Sequence, residues 1–238
     1  MAIGDSLAEY FTLNEATGNR IGSHAATTLA DEGSTPALTG LTYGNAAHFT
    51  ESSGQRLWIA DNALFSMGDI DFTVGFSFYF DYVPGYNLML CSKSHNGTGA
   101  EEWKVQIGPS GDLEFLVWDS GGSVMQVAST GIVSDATWHR ALVFHDSVNN
   151  VVGCSLDNET PNTESWSSGV GNRDHDFQIG HNSMAGRIGP WALWKGRVLD
   201  SAARTEWDNG GSLLTYAAMF PAGFSAACAT QANVVLGV

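Results

Sequence analysis

The sequence predicts an all-β chain folded as a two-sheet antiparallel sandwich, with one short C-terminal helix and an uncharged C-terminal tail. Three observations carry that expectation. From about Ala46 to Trp194 the chain runs in short apolar or alternating stretches cut by Gly, Asn, Asp and Ser, the pattern of many short strands. Apolar residues at helical spacing are scarce over the same region. The cuts carry turn chemistry at Pro84-Gly85, Pro109-Ser110-Gly111-Asp112, Gly121-Gly122 and Asn149-Asn150, the last a tight-hairpin signal.

Strands are expected at Arg56 to Ile59, Phe72 to Asp81, Leu88 to Ser92, Trp103 to Ile107 and Leu113 to Trp118. Further strands follow at Val124 to Ser129, Trp138 to His145, Val151 to Leu156, Asp176 to Ile179 and Ile188 to Trp194. In the second of these the alternation is clean: Val74, Phe76, Phe78 and Phe80 share one face, while Thr73, Gly75, Ser77 and Tyr79 share the other. The helix is expected from Asp200 to Asn209, capped by Asp200 or Ser201 and ended by Asn209-Gly210-Gly211.

No internal repeat and no low-complexity linker divides the chain, which reads as one domain over residues 1–211 and an appendage over 212–238. After Asp208 there is no Asp, Glu, Lys or Arg, and Leu213, Phe220, Phe224 and Val234-Val235-Leu236 make the tail apolar. Uncharged apolar surface is a liability in water, so the tail is expected either to pack on its own sandwich or to join subunits of a homo-oligomer.

The formal net charge of −15, with ten basic residues scattered from Arg20 to Arg204, disfavours nucleic acid and anionic membrane surfaces as partners. Cys91, Cys154 and Cys228 are odd in number and far apart, and read as free thiols. The first residues hold Asp5 and no basic segment before an apolar run, and no stretch approaches the ~20 apolar residues of a membrane span. Synthesis in a cytoplasm without a signal peptide is the expectation.

Several stretches, in order, resemble one known family. They are Asn14-Glu15-Ala16-Thr17-Gly18-Asn19-Arg20; Asn45-Ala46-Ala47-His48-Phe49 followed by Arg56-Leu57-Trp58-Ile59; and Gly68-Asp69-Ile70-Asp71-Phe72-Thr73-Val74. Trp138-His139-Arg140, Phe177-Gln178-Ile179-Gly180 and Gly186-Arg187-Ile188-Gly189-Pro190-Trp191-Ala192-Leu193-Trp194 complete the series. Together they resemble the laminin G-like and pentraxin-like branch of the concanavalin A-like lectin/glucanase superfamily, of the kind found in bacteriophage virion proteins. The resemblance spans roughly Ala8 to Gly211 and implies a two-sheet antiparallel jelly-roll sandwich. Within it Trp138, Trp191 and Trp194 are expected as core aromatics.

The glucanase relatives place closely spaced carboxylates on one strand, because retaining cleavage needs two of them ~5 to 5.5 Å apart. No Glu-x-Asp-x-x-Glu pattern occurs here; Asp69 and Asp71 sit at the mouth of a strand, and adjacent Glu101 and Glu102 point to opposite faces. No Gly-x-Ser-x-Gly elbow occurs, and His139 and His145 lie within one strand with mates on neither side. No catalytic residue is therefore assigned, and the chain is expected not to be an enzyme.

The resemblance also raises calcium, which pentraxin-like and laminin G-like domains often hold at the sandwich rim. The corresponding pentraxin-type loop is here His181-Asn182-Ser183-Met184-Ala185, without a carboxylate, and Arg187 replaces the acid that follows. No cofactor is expected, with Asp119, Asp146 and Asp157 as the remaining candidates for another rim site. For sugar recognition, which uses aromatic faces in a shallow groove, the candidates are Tyr79, Trp103 and Trp118.

These readings converge on a non-enzymatic virion accessory protein of a bacteriophage. It would decorate a capsid or attach to a tail at the virion surface, with capsid or tail proteins and possible glycans as partners. The alternative is a lectin-like carbohydrate-binding module; a glycoside hydrolase or lyase ranks last.

Overall fold

In the computed structural model the described residues are 1–35, 37–41, 44–51, 53–83, 85–93, 101–122, 124–181 and 184–220, with backbone alone for 37–41, 44–45 and 124–130. The strands are β1 (Leu7–Phe11), β2 (Arg20–Ile21), β3 (Thr28–Glu32), β4 (Ala37–Leu41), β5 (Gly44–Phe49), β6 (Arg56–Ile59), β7 (Phe72–Phe80) and β8 (Leu88–Lys93). They continue as β9 (Trp103–Ile107), β10 (Asp112–Trp118), β11 (Val124–Ile132), β12 (Trp138–Asp146), β13 (Val151–Leu156), β14 (Asn162–Ser165), β15 (Phe177–Ile179) and β16 (Gly186–Lys195).

These strands form two antiparallel sheets. The first has the order β14-β13-β12-β7-β16-β5-β4, and β1 pairs with the second half of β16. The second has the order β11-β10-β9-β8-β15-β6-β3-β2. Between them lies an apolar core in which Val74, Phe76, Phe78 and Phe80 of β7 face Val105, Phe115 and Ile179 of the opposite sheet. Phe65 stacks on Phe177 with ring centres 4.1 Å apart, and Trp191 packs against both.

The other face of β7 is not simply polar. Residues 201–208 form helix α1 (Ser201–Asp208), capped by the Asp200 carboxylate on the Ala203 amide and ended by Asn209 in the left-handed conformation. This helix lays Trp207 across the sheet, where it meets Trp194 edge-on with ring centres 5.0 Å apart. Leu142, Phe144, Ala192, Leu199 and Leu213 complete a second apolar cluster there. A Cβ on Gly75 would lie 2.7 Å from Trp207 Nε1, so only glycine lets the indole rest on β7.

Both cores depend on β16, where the register shifts between Ile188, opposite Phe78, and Trp191, opposite Phe76. The extra residue is the Gly189-Pro190 bulge, which resets the two-residue period so that Ile188, Trp191 and Leu193 all face the inner core. Ala192 and Trp194 then face the outer cluster. Proline is tolerated because a bulge releases it from the hydrogen-bond ladder.

The terminal segments close the outer cluster. Trp194 Nε1 donates to the Ile3 carbonyl at 2.8 Å, and the Arg197 guanidinium donates to the carbonyls of Ala2 and Asp5. A further helical turn, α2 (Tyr216–Met219), follows α1, and Leu213 and Met219 are buried. The first part of the tail thus packs on its own sandwich; residues 221–238, including Phe224, Cys228 and Val234 to Leu236, lie outside the described residues. Cys91 and Cys154 are buried thiols outside any disulfide among the described residues, and burial pushes both up to about 12.

Two expectations require correction. The Asn149-Asn150 hairpin is not closed by two residues: Asp146 pairs with Val151, leaving residues 147–150 as the loop. The Asp146 carboxylate sets that longer turn by accepting from the Asn149 amide at 2.8 Å and its side-chain nitrogen at 2.7 Å. Trp138 is also not a core aromatic, since it lies half-exposed on the outer face of β12. The Pro84 half of the expected Pro84-Gly85 turn lies outside the described residues.

Replacing Gly75 by Ala should force Trp207 off the sheet and cost about 1–3 kcal/mol, the usual range for overpacking. Thermal unfolding should show this as a lower melting temperature together with a change in tryptophan emission.

Candidate functional site

Helix α1 covers only one half of the outer face of the first sheet, leaving a row of half-exposed side chains on the other. His48 of β5 pairs with Arg187 of β16, Arg187 with Tyr79 of β7, and Tyr79 with Trp138 of β12. Directly opposed residues point to the same face, so these four side chains stand side by side across four strands. The Arg187 guanidinium carbon lies 4.4 Å from the Tyr79 ring centre, and the Tyr79 and Trp138 rings are 5.7 Å apart at 52°. The Asp81 carboxylate lies between two of the four, 3.4 Å from Arg187 Nη2 and 3.7 Å from His48 Nε2.

The loops at this end of the sandwich extend the surface. The hydroxyls of Tyr82 and Tyr86 both donate to the Glu51 carboxylate, which they hold below the usual carboxylate range. The same bond raises the Tyr86 phenol to about 12. The two tyrosines are 42% and 40% exposed. Beside them an open groove of about 490 Å³ is lined by Val83, Gly85, Pro109, Ile132, Ser134 and Asp135, with Ile132 71% exposed.

Tyr79, expected as a sugar platform, stands in this row. Trp118 is on the other sheet, where Lys104 Nζ lies 5.4 Å from its ring centre. Trp103 is a correction: residues 103, 105 and 107 face the inner core, so Trp103 is wholly buried and offers no face to a ligand. The three aromatics therefore do not form one site. Trp138, Arg187, His48, Tyr82 and Tyr86 were missed as site residues. A pointer existed in Tyr79, on the polar side of an otherwise aromatic strand, but cross-strand register is needed to assemble its neighbours.

The candidate calcium ligands are dispersed. Asp146 closes one end of the β12–β13 hairpin, and Asp157 the other, while Asp119 follows β10. Among the described residues, no group of three or more His, Cys, Asp and Glu side chains could hold a metal ion. At the rim opposite the row, the buried Lys93 ammonium is held by Asp61 at 2.5 Å, Glu102 at 3.3 Å and the carbonyls of Arg173 and His175.

His139 and His145 do have mates, contrary to the expectation. The β12–β13 hairpin brings Asp157 beside His139, with Nδ1 2.7 Å from Oδ2, and the preceding loop brings Ser134 to Nε2. His145 Nδ1 bonds the Ile70 carbonyl at 2.9 Å. At Asp157, burial works to raise the carboxyl, but hydrogen bonds from His139 and the Arg140 amide, with the electrostatic pull of both side chains, hold it below its ordinary value.

No protein-family profile matches this chain, and no curated protein matches it in sequence. Solved structures share its fold. The binding domain of Paraclostridial mosquitocidal protein 1 aligns with a TM-score of 0.71 at 12% identity, over 85% of this chain and 51% of that one. The receptor-binding domain of botulinum neurotoxin D gives 0.68 at 12% identity, over 88% and 54%. The binding domain of botulinum neurotoxin DC in complex with SialylT gives 0.67 at 11% identity, over 88% and 52%. This chain spans about half the length of each of these, and the likeness is one of fold, a two-sheet antiparallel β-sandwich.

Because the Asp157 carboxyl is depressed in the folded chain, its contribution to stability is present above the ordinary value of 3.8 and lost as pH falls through the lower folded value. Asp157→Asn should therefore melt below the wild type at pH 6, with the gap closing under acid. Parallel melting curves down to pH 2.5 would check this.

Proposed function

We propose that this chain is a carbohydrate-binding adhesion module that grips uncharged sugars on the row Tyr79, Trp138, Arg187 and His48. The observation that carries the reading is the pair of half-exposed rings, 5.7 Å apart, flanked by polar groups able to bond hydroxyls. A pyranose ring offers an apolar face to such rings and hydroxyls to Asp81, His48 and Arg187. The formal charge of −15, with Asp81 and Glu51 at this surface, favours neutral over anionic glycans. Supporting the class, fold neighbours include a binding domain in complex with SialylT and a neurotoxin described as entering cells through two ganglioside molecules. Binding, rather than glycoside hydrolysis, is the role assigned to this surface.

For its setting we retain the reading of a bacteriophage virion accessory protein, made in the host cytoplasm and displayed on capsid or tail. The laminin G-like sequence resemblance supports it. Residues after 220 are the proposed contact between copies, on the strength of their uncharged, apolar sequence. Calcium enters as a variable of the binding assay rather than as a resident cofactor.

On a glycan array read with and without EDTA, the wild-type chain should light a set of neutral glycans. Tyr79→Ala and Trp138→Ala should each weaken binding about tenfold or more, equivalent to about 1.4 kcal/mol, with the fold intact by circular dichroism. Blank arrays under both conditions would remove the glycan reading and leave adhesion to particle proteins, tested by rebinding to particles that lack the protein.

Light scattering on the full chain and on one cut after Phe220 should give an oligomer and a folded monomer respectively. Equal masses would remove the tail as the assembly contact.

A further inference from the structure

The binding row does not use the group of polar side chains behind the rim groove. His139 sits on the inner face of β12 at its first turn into the sheet, 5% exposed, with Phe78 packed on its ring at 5.6 Å between centres. Its Nδ1 is 2.7 Å from Asp157 Oδ2. Its Nε2 is 3.2 Å from Ser134 Oγ, 3.1 Å from the Ser134 amide nitrogen and 3.2 Å from the Ser134 carbonyl oxygen.

Two of those contacts, the Ser134 amide at Nε2 and the Asp157 carboxylate at Nδ1, fit a single neutral tautomer. A backbone amide can only donate, so with Ser134 N–H aimed at it Nε2 carries a lone pair, and the ring proton lies on Nδ1 facing Asp157. That is the tautomer a general base toward the Ser134 hydroxyl requires. If Nε2 gains a proton, the Ser134 carbonyl is placed to accept it, and the Asp157 carboxylate faces the resulting cation. Asp157 is itself held by the Arg140 amide at 2.9 Å and lies 3.5 Å from Arg140 Nη2. Ser134 is exposed and lines the open groove of about 490 Å³, whose other walls include Val83, Pro109 and Ile132.

We propose that Ser134, His139 and Asp157 form a serine nucleophile site that accepts the acyl group of small acyl esters entering this groove. Ser134 Oγ bonds to the ester carbonyl carbon while its proton passes to His139 Nε2. The ester C–O bond then breaks, and the leaving alcohol takes that proton from Nε2. Water, deprotonated by the same nitrogen, attacks the acyl-serine, releases the carboxylic acid and restores the hydroxyl. Asp157 is a positioning residue that keeps the proton on Nδ1. The apolar walls suit short acyl chains. This activity goes beyond the glycan-binding reading and does not rest on it, since none of its three residues belongs to the row.

The test uses the full chain with a fluorophosphonate probe and p-nitrophenyl acetate. The expected result is one phosphonyl adduct per chain, mapped to Ser134 by peptide mass spectrometry, with ester hydrolysis above the buffer rate. Ser134→Ala, at an exposed position, should fold as the wild type, carry no adduct and lose hydrolysis by about a hundredfold. Asp157→Asn keeps a residue suited to the left-handed backbone there, where φ is 50°. It should slow labelling about a hundredfold, with ring nitrogen chemical shifts showing that the His139 proton has left Nδ1. Absence of an adduct on Ser134 in the folded protein would overturn the proposal. So would hydrolysis unchanged in Ser134→Ala, or labelling as fast in Asp157→Asn as in the wild type, which would mark an ordinary surface hydroxyl.

Discussion

The fold turns on the requirement that β7 be buried on both faces. One face supplies Val74, Phe76, Phe78 and Phe80 to the core between the sheets, and the other carries Gly75 beneath the indole of Trp207. Along the neighbouring strand β16 a strict two-residue period would put Ile188 and Trp191 on opposite faces, turning the tryptophan-rich half out of phase with the core that Ile188 enters. The Gly189-Pro190 bulge of β16 resolves this by shifting phase once, sending Trp191 inward and Trp194 outward. The short helix, the first residues and the packed part of the tail all then have an apolar surface to settle on.

Because that covering is partial, the same sheet has two characters. Around Thr73 and Gly75 it is a buried layer, with the Thr73 hydroxyl bonded to the Arg197 carbonyl at 3.0 Å. Six residues further along β7 it becomes an open platform at Tyr79. Loops from both sheets converge there: Ala136 N bonds Phe80 O, Val83 N bonds Asp135, and Val133 N bonds Gly111 O. The platform and the groove are thus neighbours built on one rim, and the strands beneath hold both in fixed geometry.

Much of this order is legible in the residues themselves, and the illegible parts share a cause. The central strands announce themselves because one face is consistently apolar, and α1 because Asp200 and Asn209 stand at its ends. Before β6 only the Asn45 to Phe49 stretch of β5 stands out, through its resemblance to a family core strand; β2 and β3 escape notice because their pattern is weak, β2 having two residues and β3 burying only Leu29. In β1, a charged residue is buried: the Glu9 carboxylate accepts from the amides of Tyr10, His24, Ala25 and Thr27, so its charge marks a folded loop rather than solvent. Site residues are harder still. Trp103 and Trp138 each begin a strand, yet one faces the core and the other water, and only the phase of pairing separates them. The partners of His139 come from residues five before and eighteen after it, which a hairpin unites and local spacing does not show.

The outer cluster has one more consequence, for the polarity of the molecule as a presented object. Phe220, the last described residue, rests against Gly4, so the chain's two packed ends leave the sandwich at a common place. The platform is displaced from that cluster along β7, by about 20 Å from Thr73 to Tyr79 at ~3.3 Å per residue. A body tethered through either end would hold the module by one pole and turn the aromatic row outward at the other. Which terminus carries the tether would then matter little, because both transmit load into the same layer of tryptophans.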